Sequence, residues 1–152
     1  QYLFDVWHRL TLKALCQSQD SQIAAIAAKS IKEVDYHEQR SRNWVIRLGD
    51  GTQQSHEYMQ SAINDLWSYT DELFVQGDDE LQLVAQGIAA NQANIEDQWR
   101  ATVGQTLTEA TLTQPTDCFQ KFGGKQGEHS EPFGLMLAEM QSLYRAHPGA
   151  VW

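Results

Sequence analysis

Cysteine is scarce in this chain. Only Cys16 and Cys118 occur among 152 residues, far apart and without a Cys-x-x-Cys pair. No disulfide framework is expected, and the usage reads as a reducing, cytoplasmic compartment. Cys16 falls in an apolar helical stretch, where a free thiol is the ordinary state. Long hydrophobic runs are absent: none approaches the roughly 18 apolar residues of a membrane span, and no stretch reads as a signal peptide. Positive charge is short as well. Eleven Lys and Arg stand against twenty Asp and Glu, a net charge of -9, with a sequence pI near 4.8. Such a chain repels phosphates and anionic lipid, which disfavours nucleic acid and membranes as partners.

Catalytic signatures are missing too. There is no Ser-His-Asp arrangement and no basic aromatic patch in the local sequence. Gly123-Gly124-Lys125-Gln126-Gly127 lacks the Gly-x-x-x-x-Gly-Lys-Ser/Thr spacing of a phosphate loop, and no strand precedes it. It reads as a mobile connection available to a partner. Nothing local supports a stand-alone enzyme.

What the chain does have is helical periodicity. Hydrophobic residues make up 41%, the length suits one domain, and β-branched runs are rare, which favours helices. Residues 2–18 predict a first helix, with Val6, Leu10 and Ala14 on one stripe. Ser or Asp in the following turn can cap the next. That helix, 21–48, carries Ile23, Ile26, Ala27, Ser30, Val34, His37, Ser41, Trp44, Val45 and Leu48 along one face at steps of three and four. Gly49 is expected to end it as a left-handed residue, with Thr52 capping a helix over 53–74. A looser acidic stretch runs to about residue 92. A helix over 93–111 presents Ile95, Trp99, Val103 and Leu107. A last helix begins after Ser130 with Pro132 in its first turn, and Phe133, Met136, Leu137, Met140 and Leu143 are expected to face inward. The whole predicts an all-α antiparallel bundle, one domain over 1–152. The chain opens already helical and without Met, so an N-terminal part is expected to precede it. Trp152 is expected to dock on a partner or on the bundle.

The candidate chemistry centres on Lys32-Glu33-Val34-Asp35-Tyr36-His37. On a helical wheel of about 100° per residue, His37 falls within the apolar stripe and Glu33 about 40° to one side. Both are expected to point into a bundle core, as metal ligands there must. Diiron bundles use Glu-x-x-His, and three residues after Glu33 stands Tyr36. Asp5-Val6-Trp7-His8 has the right spacing, but with the shorter Asp. Lone carboxylate–imidazole pairs are more often structural than ligating. His56, His129 and His147 stand near helix ends, where capping or dipole effects account for them.

Several stretches together resemble a known family. They are Ile26-Ala27-Ala28-Lys29-Ser30-Ile31-Lys32-Glu33-Val34-Asp35-Tyr36-His37, Leu48-Gly49-Asp50-Gly51-Thr52, Met59-Gln60-Ser61-Ala62-Ile63-Asn64-Asp65-Leu66-Trp67 and Leu137-Ala138-Glu139-Met140-Gln141. The glycine loop and the ending His147-Pro148-Gly149-Ala150-Val151-Trp152 belong with them. The chain is similar over nearly its whole length to the PaaC-type subunits of bacterial ring 1,2-phenylacetyl-CoA epoxidases, which are monooxygenase complexes. The resemblance implies a ferritin-like fold with two further bundle helices before residue 1. It implies a complex that epoxidises phenylacetyl-CoA with O2 and NADPH in aerobic phenylacetate catabolism. This chain would be its noncatalytic structural subunit, with no cofactor of its own. Diiron would lie in a PaaA-like catalytic partner, and FAD and iron–sulfur in a reductase. A small PaaB-like subunit would bridge the assembly. Glu33, His37, Asp5, His8 and Tyr36 would then be remnants of a degenerate metal site. Two rival expectations remain: a catalytic diiron oxygenase using Glu33 and His37, and an iron-storing ferritin relative. Apolar stripes left open by absent helices also predict self-association.

Overall fold

A computed structural model describes residues 1–151. The expectation for Trp152 lies outside the described residues. Those residues contain helices and no strand: α1 (Tyr2–Leu15), α2 (Ser21–Gly49), α3 (Gln53–Trp67), a 3-10 turn (Asp71–Phe74), α4 (Asp78–Ala85), α5 (Ala93–Glu109), α6 (Glu131–Met140) and α7 (Ser142–Ala146). The all-α expectation holds, and the arrangement is that of a ferritin-like helical bundle. No helix among the described residues is long and apolar enough to cross a membrane. The chain divides into two compact units, Gln1–Lys121 and one starting at Phe122.

In the first unit α1 and α2 form the main seam. Asp5 meets Ser41 and Arg9 meets Glu38, so moving forward along α1 means moving back along α2. The two helices are therefore antiparallel. α5 lies against α1 in the opposite sense. Tyr2 Oη donates to Thr106 Oγ1 at 2.8 Å, and Trp7 Nε1 to Gln92 Oε1 at 2.9 Å. Trp99 is fully buried. Its indole N–H donates to the Leu3 carbonyl at 2.8 Å, which resolves the one polar atom of a ring otherwise in apolar surroundings. Trp67 lies 5.8 Å from it, and Phe74 meets it edge-on at 5.4 Å. Ile95, Trp99, Val103 and Leu107 are all buried as expected. A smaller cluster of Leu12, Ala27 and Val34 closes the far end of the seam.

The caps explain most boundaries. Asp20 Oδ1 accepts from the backbone N–H groups of Gln22 and Ile23, and Thr52 Oγ1 from that of Ser55, each satisfying donors that the first turn leaves open. The helix expected over 53–74 instead ends at Trp67. There the Ser68 and Thr70 hydroxyls donate to the Asp65 and Trp67 carbonyls, an alternative to the helical ladder. The acidic stretch holds a short helix, α4, whose Glu80 carboxylate accepts from the Gly77 N–H.

Gly49 departs from its expected role. It is the last residue of α2 rather than a left-handed residue beyond it. Its lack of a side chain serves close packing: a Cβ there would collide with the Ala110 carbonyl oxygen and come within 2.9 Å of the Ala110 Cβ. The left-handed residue is Thr111, at φ 59°. It ends α5, and the Leu112 N–H reaches back to the Leu107 carbonyl at 2.8 Å, the long bond of a Schellman-type stop.

In the second unit Gly123 and Gly127 both adopt left-handed backbone around a turn of 3-10 helix. Pro132 occupies the first turn of α6 as expected, but Ser130 makes no side-chain cap. The inward face expected for α6 is not inward: Met136, Met140 and Leu143 are exposed, while Phe133 and Leu137 are half-buried. Two helices of ten and five residues offer one another too little surface to bury these side chains.

Gly49→Ala should lower unfolding stability by about 1–3 kcal/mol, the range for forcing a methyl group into a packed site. A urea melt reads this as a lower midpoint; an unchanged midpoint contradicts the close approach.

Candidate functional site

The two buried carboxylates of the first unit, Asp5 and Glu38, lie on the α1–α2 seam. Asp5 sits in the first turn of α1, where a carboxylate complements the helix dipole. It is only 2% exposed. Its Oδ1 accepts from Gln1 Nε2 and its Oδ2 from Ser41 Oγ, both at 2.7 Å. One turn on, Arg9 Nε donates to the Glu38 carboxylate, which is also buried. Both charges thus meet the usual condition for burial, a partner with matched donors. Beside them Tyr2 is buried, and this desolvation holds its phenol above the ordinary value of 10 against the opposing hydrogen bond to Thr106.

The residues singled out from the sequence separate into three places. Glu33 and His37 do meet, Oε1 to Nε2 at 3.8 Å, but with side chains 79% and 47% exposed. They form a one-turn pair in water, not a core pair. Asp5 and His37 line one groove of about 270 Å³ with Gln1, Arg40 and Ser41. His8 turns elsewhere, its ring 5.5 Å from Phe4 and 6.5 Å from Trp7. Tyr36 is 62% exposed, its ring 6.2 Å from that of His37.

Glu33 and His37 thus lie off the buried line by which α2 packs on α1. The buried line of α2 runs Ala27, Val34, Glu38, Val45 and Gly49. Ile26, Trp44 and Leu48 had drawn the expected stripe toward a face that is exposed in this chain. Glu38 was missed because a carboxylate does not count as core in a hydrophobic pattern. The signal was there: Glu38 continues the buried spacing four residues after Val34.

The described residues do not by themselves supply the donor set of a diiron site. Such bundles take a Glu from each of two helices and Glu-x-x-His from each of the other two. Here both Asp5 oxygens already accept hydrogen bonds, Glu38 is paired with Arg9, and Glu33 faces water. Among the described residues no three His, Cys, Asp or Glu side chains come together as a ligand group.

An apolar cleft of about 330 Å³ adjoins the polar groove, lined by residues such as Tyr2, Leu3, Trp44, Val45, Met59 and Leu66. It shares Gln1, Arg40 and Ser41 with the groove. The seam therefore has a hydrogen-bonded polar interior and an open apolar margin.

Residues 1–152 match, as a whole, the family described as phenylacetic acid catabolic protein. This chain belongs to that family. It is 45% identical over 152 residues to the C subunit of 1,2-phenylacetyl-CoA epoxidase from Escherichia coli (strain K12). The alignment takes in 100% of this chain and 61% of that relative. The family member described here thus spans about three fifths of its curated relative.

Glu38→Ala should cost about 2–3 kcal/mol, somewhat below the range for a fully buried ion pair because Arg9 is partly solvated. The double variant Arg9→Met with Glu38→Leu should recover most of it, since apolar replacement of both partners is often neutral. Chemical unfolding of the four-member cycle reads the coupling. Additive losses contradict a coupled pair.

Proposed function

We propose that this chain acts in phenylacetate catabolism as a structural, noncatalytic subunit of a phenylacetyl-CoA epoxidase. It supports a PaaA-like diiron subunit, and a small PaaB-like subunit bridges the assembly. The observation that carries the reading is the 45% identity across the whole chain to a protein named as a subunit of such an epoxidase. The seam chemistry supports it. Asp5 and Glu38, the two buried carboxylates, are engaged by Gln1, Ser41 and Arg9. In this reading Asp5, His8, Glu33, Tyr36 and His37 are what remains of an ancestral metal site. Iron, flavin and iron–sulfur chemistry belong to the other subunits. The open apolar cleft beside Trp44 and Leu66 suits association, with a companion subunit or with a second copy.

One observation favours a second reading, a catalytic diiron oxygenase: Asp5 and His37 share a groove. A single experiment addresses both. The full-length chain is co-expressed with the PaaA-like subunit, and the captured complex is assayed for phenylacetyl-CoA turnover, with and without His37→Ala. The structural reading expects a stable complex and unchanged turnover in the variant. Absence of any complex contradicts it. Turnover lost from an intact complex supports the catalytic reading.

A further inference from the structure

The local sequence shows no basic aromatic patch, yet α2 builds one by periodicity. Lys29, Lys32, Tyr36, Arg40, Trp44 and Arg47 stand at steps of three, four, four, four and three, which brings them to one side of a helix. All six are exposed. The stripe runs about 27 Å at 1.5 Å per residue.

Its cations differ from the other arginines of the first unit. Arg9, Arg42 and Arg100 are neutralised by Glu38, by Glu109, and by Glu96 with Asp71. No hydrogen bond or ion pair is formed by the side chains of Lys29, Lys32, Arg40 or Arg47 among the described residues. Four of the eleven Lys and Arg in a chain of net charge -9 are thus set along one face and left for solvent. Glu33 projects within the same arc, one turn after Lys29, and its carboxylate lies 3.8 Å from the His37 imidazole. At its centre Tyr36, Gln39, Arg40, Asn43, Trp44 and Arg47 line a shallow depression of about 240 Å³ without a carboxylate.

We propose that this face of α2 docks an acidic segment of a companion subunit. The inference rests on the subunit reading above and deepens it by naming the surface. Arg, Trp and Tyr are the residues that most often dominate protein–protein binding energy. An acidic partner is repelled by most of this chain and attracted here, so the stripe sets both encounter and orientation. At about 240 Å³ the depression is smaller than the roughly 300–1,000 Å³ of small-molecule pockets. A lipid surface fits poorly, because a chain of net charge -9 repels anionic lipid and the two aromatic rings of the stripe, Tyr36 and Trp44, stand singly among cations instead of forming a continuous apolar side.

The test uses the full-length chain and the PaaA-like and PaaB-like subunits. Lys29→Glu, Lys32→Glu, Arg40→Glu and Arg47→Glu are combined, with Lys13→Glu as a control of the same charge type. Circular dichroism and thermal melting verify that each variant folds. If reversal of four charges itself unfolds the chain, Arg40→Gln with Arg47→Gln replaces it. Affinity is measured at low and high salt. The expected result is a loss of about tenfold or more at low salt, with a flattened salt dependence, as for other charge-steered interfaces, and no change for the control. Wild-type affinity and salt slope in the stripe variant overturn the proposal while leaving the subunit reading intact. Failure of the wild-type chain to bind either subunit overturns both. Stripe-dependent binding to anionic vesicles, or to a second copy, in place of the subunits overturns the assignment of the partner.

Discussion

The first unit is organised by two buried carboxylates that face each other's helix across the α1–α2 seam. Asp5 is held by Ser41 and Glu38 holds Arg9. Apolar side chains alone tolerate small slips of one helix along another. A buried charge does not, because a displaced carboxylate leaves its donors and faces low dielectric alone. The two pairs, a turn apart on each helix, admit one register. Given that register, Tyr2 reaches Thr106 and Trp99 reaches the Leu3 carbonyl, so α5 is placed by the same helix that the carboxylates have positioned.

The far end of α2 carries a second junction. The Gly49 carbonyl accepts from Thr111 Oγ1 at 3.3 Å and lies 2.8 Å from His56 Nδ1. Ala110 packs where a side chain would otherwise be. Three helices therefore converge on one backbone group, and the unusual left-handed Thr111 is held by that convergence. Rigidity is concentrated on the inward side of α2 at Glu38 and Ser41 and at its last residue, Gly49, whereas another side of the helix is exposed. The exposed Tyr36, Arg40 and Trp44 lie there.

Much of this was legible in residue order. The α5 stripe was read correctly because all four positions are apolar and evenly stepped. Asp20 and Thr52 capped where short polar side chains precede a periodic run. His56 stands near a helix end and bonds there. The family resemblance, carried by several motifs across the chain, agreed with the match over residues 1–152. What escaped had physical causes. Glu38 is core only because Arg9 supplies its partner from another helix, and no local pattern encodes that. Glu33 and His37 were drawn inward by apolar neighbours whose cover is not part of α1, α3 or α5. The end of α3 at Trp67 depends on hydroxyl-to-carbonyl bonds from Ser68 and Thr70. The apolar face of α6 has the right period and nothing in its own unit large enough to bury it.

The seam and the family together describe a ferritin-like bundle in which two buried carboxylates, Asp5 and Glu38, pair α1 with α2. The most direct test is the iron content of the purified full-length chain after growth in iron-rich medium, separated from its companion subunits. The account predicts iron far below one atom per chain, unaffected by Asp5→Asn. About two irons per chain, the count of a diiron bundle, lost on substitution of Asp5 or His37, would contradict it.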